Sequence, residues 1–274
     1  MAYQIQLLKN FAVLPNWEDK LGELITLANT EDWTFKKPVL SKKGNEITYP
    51  ILRNYLDHTF NKVKNDYDQA SDMNKNKYFL ISEDIACFDT GLFTKYYERI
   101  FAFFEKNRNP LKYQWVFIGF KKESDHNFQN VTRLYKLPER ANYFSNVSEL
   151  IYDYRLPIQP PSAEHVLEDI DNFERIPIEI RNNRRKNDIY QSLVGAVKNV
   201  EKRLAGNYKI AIPQYFQNKI QLLIPIDLGA EKVNLALALN KYENYYSGRT
   251  LLTLEMAYNN ARLIVKPESD WLLP

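Results

Sequence analysis

Tyr78-Phe79-Leu80-Ile81-Ser82-Glu83-Asp84-Ile85-Ala86-Cys87-Phe88 decides the fold class. Two short runs of aromatic and branched residues flank a polar break, which is the pattern of consecutive strands and not of a helix. Ile100-Phe101-Ala102-Phe103-Phe104 and Trp115-Val116-Phe117-Ile118 repeat it, giving four strands in succession. Outside 91–99 the connections are too short for helical crossovers, so neighbours are expected to pair antiparallel.

Upstream the period becomes helical. Trp17, Leu21, Leu24, Ile25 and Ala28 recur at helical spacing behind Asn16, a candidate cap, and predict a helix over 17–29. Pro50 opens a second helix in its first turn, with Ile51, Leu52, Tyr55, Leu56, Phe60, Val63 and Tyr67 on one broad apolar face. Residues 121–155 show no clear period and are read as irregular.

Downstream, Leu156-Pro157-Ile158-Gln159-Pro160-Pro161 is the only proline-dense stretch. Three prolines in five residues forbid a helix interior or a central strand. Beyond it, Ser162 caps a helix expected to reach Phe173. Asn187 or Asp188 caps another through Leu204, closed by Gly206-Asn207 in left-handed positions. Residues 209–212, 220–224, 233–239 and 250–254 read as four more strands, and 256–265 as a closing helix. Helices precede each strand set, so the fold class is α+β, two sets of mainly antiparallel strands packed as one compact unit. The expected organisation is a single domain, 1–274, whose alternative is two lobes, 1–156 and 162–274, divided at 157–161. The element order suggests a duplication, but no residue-level self-similarity accompanies it.

Composition narrows the function class without naming a function. In 274 residues, 45% are hydrophobic and 26% charged, which is ordinary for a folded domain. No run approaches the roughly 18 apolar residues of a membrane span, and residues 1–10 lack a secretory layout. With one cysteine, a reduced, cytoplasmic setting is expected. Net charge is +3, too small by itself to indicate nucleic acid. There is no phosphate-cradling glycine loop and no His-Glu-x-x-His arrangement, so neither a metal site nor a classical nucleotide-fold enzyme is signalled, and the cofactor is left open.

Three groups of residues carry chemistry. Arg181, Arg184, Arg185, Lys186, Lys198, Lys202, Arg203 and Lys209 crowd eight cations into one region, and Tyr215, Tyr245 and Tyr246 lie nearby. Cations with stacking rings are the combination that binds single-stranded RNA. Arg184, Arg185, Lys202, Arg203 and Lys209 are therefore the expected phosphate contacts, and Tyr215, Tyr245 and Tyr246 the expected stacking surfaces. His165 and Glu168 lie within one helical turn and offer a general acid and base, against the plainer reading of a first-turn charge pattern. Asp89-Thr90-Gly91 aims a carboxylate after a strand, although turn chemistry explains it equally. Cys87, among apolar neighbours, reads as a buried, inert thiol. Asn259 and Asn260 are poor helix formers, and an inward-facing amide there needs partners, expected from neighbouring backbone ahead of a ligand.

Tyr208 to Tyr215, Lys219 to Pro225, Thr250 to Arg262 and Lys266 to Leu272 resemble a bacterial domain family of unknown function, and Phe88-Asp89-Thr90-Gly91-Leu92 and Phe104-Glu105-Lys106-Asn107 resemble its earlier half. The resemblance spans Phe11 to Leu272. It implies companionship with OST-HTH (LOTUS) or cold-shock RNA-binding modules, and it supplies no catalytic residues. The expected function is thus an RNA- or nucleotide-interacting domain in RNA processing or stress and phage response. The alternatives are a phosphoesterase or nucleotide-processing enzyme using His165 and Glu168 or Asp89, and a scaffold for a partner protein.

Overall fold

A proline at the first helical position and an apolar stripe at helical spacing start the long second helix where the sequence places it, at Pro50. In the computed structural model, which describes residues 7–41, 43–109, 112–229 and 232–274, contacts group the chain into two units, divided between Asn142 and Tyr143.

The first unit runs α1 (Leu8–Phe11), β1 (Ala12–Val13), α2 (Trp17–Leu27), α3 (Pro50–Gln69), β2 (Phe79–Ile81), β3 (Ile85–Phe93), β4 (Arg99–Lys106), β5 (Trp115–Lys122) and α4 (Gln129–Leu134). Its sheet has the order β1-β5-β4-β3-β2. The four longer strands pair antiparallel, as their short connections require, and β1 lies parallel to β5. Alternation sorts the aromatic residues onto two faces. Phe79, Phe88 and Phe104 meet Phe11 and Phe60 on one side. Leu80, Cys87, Phe101 and Phe103 meet Phe128 and Val131 on the other. Both faces are dry, so the strands read as nearly continuous apolar runs.

The second unit runs β6 (Ile158–Gln159), α5 (Ala163–Leu167), α6 (Ile170–Arg175), α7 (Ile178–Asn183), α8 (Lys186–Gly206), β7 (Ile212–Phe216), β8 (Lys219–Ile226), β9 (Leu235–Lys241), β10 (Tyr246–Leu252) and α9 (Leu254–Arg262). Its sheet order, β6-β10-β9-β8-β7, repeats that of the first unit, including the parallel pairing of the short strand with the last. Each unit is thus a two-residue strand, helices, a four-stranded antiparallel meander and a final helix. The duplication that residue identity does not reveal is present in topology. On one face Ile189, Leu193, Val197, Val200 and Leu204 of α8 pack on Leu222, Ile224, Leu237 and Leu239.

Local readings differ from the structure in several places. The proline-dense segment is no boundary: Ile158 and Gln159 form an edge strand of the second sheet, a position that tolerates prolines. Gly248 in β10 makes this close approach feasible, since a Cβ there would lie 2.8 Å from Cδ of Pro161. The expected 162–173 helix is two helices, because the Asp169 side chain accepts from the Asn172 N–H and starts a new one. Asn16 is left-handed with no capping bond. Asn207 is extended, not left-handed, and its side chain caps the 3₁₀ turn Tyr208–Ile210, which displaces the start of the strand to Ile212.

Candidate functional site

The expected cation cluster is split by the helix that carries it. Arg185 precedes the first residue of α8, whereas Lys202 and Arg203 lie in its last turns, about 25 Å away at about 1.5 Å per residue. Arg184 is committed to the loop between β8 and β9. Its Nη1 donates to the Leu228 carbonyl at 2.7 Å, and its guanidinium lies against Gly229, where the Cβ of any other residue would stand 3.0 Å from Nη2. Arg185 pairs with Asp188 at 3.3 Å. Lys202, Arg203 and Lys209 are exposed.

Two of the three expected stacking rings are inside the protein. Tyr246 is 0% exposed and stacks on Tyr152, and its hydroxyl accepts from the Asp153 N–H at 2.9 Å. Tyr215 is 7% exposed, edge-on to Tyr143, with its hydroxyl donating to Asn218 at 2.9 Å. A tyrosine on a central strand or facing a helix contributes apolar area and one anchored hydroxyl, which is a core role. Tyr245 is half-buried and stacks face to face on Tyr242, centroids 4.9 Å apart.

The acid–base candidates are also engaged separately. Nε2 of His165 is 3.1 Å from Nδ2 of Asn172 and its Nδ1 is 3.9 Å from Asp169, while Glu168 pairs with Lys186 at 3.3 Å. Asp89 is 2% exposed, accepts from the Gly91 N–H at 2.7 Å and pairs with Nε of Arg99 at 2.8 Å. Burial raises its pKa, and the Gly91 amide, Arg99 and Arg140 oppose the rise. These contacts make Asp89 an anchor of the β3 bulge, where pairing with β4 shifts register between Asp89 and Phe93. Cys87 is buried, and burial pushes its thiol up to about 12. A thiol reagent added to the native protein at neutral pH should therefore label Cys87 only on the timescale of unfolding. Rapid stoichiometric labelling would contradict the assignment.

What the structure does bring together is a groove of about 690 Å³ in the second unit. Tyr143 and Phe144 line it from the segment before β6, Asn218 and Lys219 from the β7–β8 turn, Gln221 from β8, and Asn240, Lys241 and Tyr242 from the end of β9. Glu149 and Glu243 also line it, so the two lysines are balanced and the groove has little net field. Tyr242 is 43% exposed. Rings, amides and ammonium groups therefore share one concave surface whose volume suits a small ligand or a few linked residues of a larger one. Little in the sequence announces it. Lys219, Gln221 and Asn240 are polar interruptions of apolar strands, but only cross-strand register makes them neighbours.

Behind the groove, the inward amide anticipated in the last helix is present. Nδ2 of Asn260 donates to Oε1 of Gln214 at 3.0 Å, a side-chain partner and not a backbone one. Oδ1 of Asn259 is buried with no hydrogen-bond partner among the described residues. Among the described residues no helix is long and apolar enough to cross a membrane.

The model of a domain family of unknown function, DUF3825, matches residues 24–271 and so runs through both units. No curated protein and no solved structure matches the chain. With nine-tenths of its residues inside that match, the chain belongs to the DUF3825 family.

Proposed function

We propose that the second unit binds single-stranded RNA or a nucleotide in the groove formed by Tyr143, Phe144, Asn218, Lys219, Gln221, Asn240, Lys241 and Tyr242. The observation that carries this reading is the coincidence, in one cavity of about 690 Å³, of the half-exposed ring of Tyr242 with the amide groups of Asn218, Gln221 and Asn240 and two lysines. Stacking on an aromatic face is tolerant of base identity, amides address base edges, and ammonium groups meet phosphate. The expected cation cluster is assigned no part, because α8 separates Arg184 and Arg185, which have other partners, from Lys202 and Arg203, and none of the four lines the groove.

Fluorescence anisotropy with a labelled single-stranded RNA 12-mer at low ionic strength tests the reading. Tyr242→Ala is expected to weaken binding at least about tenfold, the loss of one base–ring stack. Lys202 and Arg203 do not line the groove, so the double change Lys202→Glu, Arg203→Glu should leave affinity within about twofold at moderate salt, where exposed charges not in contact with the ligand are screened. Two lysines predict a shallow salt dependence, with log K falling against log salt at a slope of roughly −1.4. Absence of binding by RNA and by mononucleotides alike would remove the proposal. A steep slope with Tyr242 dispensable would move the site elsewhere.

A further inference from the structure

Gln214, Gln221 and Asn240 stand abreast on three adjacent strands. Gln214 is opposite Gln221 in the β7–β8 ladder, and Asn240 continues the β8–β9 register one residue past the Leu222–Leu239 pair. Their amides form a directed chain that begins on α9. Asn260 Nδ2 donates to Gln214 Oε1 at 3.0 Å, Gln214 Nε2 to Gln221 Oε1 at 2.8 Å, and Gln221 Nε2 to Asn240 Oδ1 at 2.8 Å. Every link points the same way. A primary amide has one oxygen and one NH₂, so once its oxygen has accepted, its free polar capacity is mainly donor. Gln214 is 1% exposed, so no water reaches it to reverse one link independently. Turning any amide over would set oxygen against oxygen or NH₂ against NH₂ unless its neighbours turned as well.

The chain ends at Asn240, half-buried, which lines the groove and whose Nδ2 donates to no group among the described residues. We infer that the Asn260–Gln214–Gln221–Asn240 relay makes this groove a reader of carbonyl oxygen, so that it takes uracil in preference to cytosine. The inference rests on the RNA reading of the groove. The two bases have the same ring and differ at C4, where uracil presents an acceptor oxygen and cytosine a donor amine. Stacking on Tyr242 is therefore nearly matched, and the difference falls on the hydrogen bond. A donor facing the cytosine amine leaves both groups unsatisfied. Gln214 acts here as a positioning residue: it touches no ligand and sets the direction of the two amides that do.

The experiment compares labelled 12-mers of oligouridylate and oligocytidylate on the full chain. The wild type is expected to bind oligouridylate about fivefold more tightly, the worth of one net hydrogen bond. Asn240→Asp keeps the bond from Gln221 and presents an oxygen in place of NH₂, at a half-exposed position where folding is not at issue. The added charge lowers both affinities, so the ratio is the readout, and it should invert in favour of oligocytidylate. Gln214→Met removes the middle link and should bring the ratio close to one. Equal wild-type affinities, or a ratio that Asn240→Asp leaves unchanged, would overturn the relay while leaving RNA binding in place. Failure of the wild type to bind either oligomer would overturn both.

Discussion

Arg99→Met is expected to destabilise the first unit by about 3–5 kcal/mol at neutral pH, because it leaves the carboxylate of Asp89 buried without its counter-charge. Among the described residues Asp89 then keeps only the Gly91 amide as a direct partner, with Arg140 as a more distant charge. Arg99 also donates to the Pro138 carbonyl and lies over the Phe101 ring, so the substitution loosens the segment after α4 as well. The loss should depend on pH in a definite sense. Burial already raises the pKa of Asp89 in the wild type, and removing Arg99 takes away a charge that opposes the rise. The folded variant then holds a proton that the unfolded chain, with a carboxylate near about 3.9, has released. Stability relative to wild type therefore falls as pH rises from that unfolded value through the raised folded one, and recovers on acidification. Urea unfolding followed by tryptophan emission reads this unit, since Trp17, Trp33 and Trp115 belong to it and only Trp271 to the other. A penalty equal at pH 4.5 and pH 7.5, conditions on the order of the carboxylate and neutral ranges, would show that Asp89 is not the group responsible.

Gly91→Ala should cost roughly 3 kcal/mol by the same measurement. Gly91 has φ of +76°, a left-handed conformation in which an L side chain costs about 1–2 kcal/mol. The added Cβ would also stand 2.5 Å from the Tyr55 hydroxyl and 3.2 Å from Nε of Arg140. Tyr55 donates to the buried Thr90 carbonyl at 2.8 Å, and pushing it aside unpairs that oxygen at a further cost of about 1–3 kcal/mol. Gly22→Ala is the matched control in the same unit. That glycine is half-buried within α2, and an added methyl would meet nothing within 4 Å, so alanine should stabilise by about 0.5–1 kcal/mol. A Gly91→Ala protein as stable as wild type would mean that the bulge relaxes and that the Asp89-Thr90-Gly91 geometry is not constrained.

Both effects belong to a motif that the sequence offers as an alternative catalytic carboxylate. The structure turns it into architecture: Asp89, Thr90 and Gly91 form a bulge within β3, where its register with β4 shifts, and Thr90 Oγ1 donates to the Ile100 carbonyl across it. A turn-forming Asp-Thr-Gly after a strand has the same composition whether its carboxylate faces solvent or an arginine ten residues on. The tyrosines show the same ambiguity. Tyr242, Tyr245 and Tyr246 are near neighbours in sequence, yet only the strand start at Tyr246 determines that its ring enters the core while Tyr242 remains in the groove.

The amino-acid sequence by itself determined the α+β class, the antiparallel meanders and the two long helices. Those properties follow from periods of two and 3.6 residues and from short connections, all of which act over a few residues of chain. Tertiary structure alone decided that the two halves share a topology, that the proline segment is an edge strand, and that the α8 cations lie apart. It also decided that Gln214, Gln221, Asn240 and Asn260 meet in one relay. Register between strands and the choice of sheet face are set by which apolar surfaces can be buried together, a sum over distant residues that no local window contains.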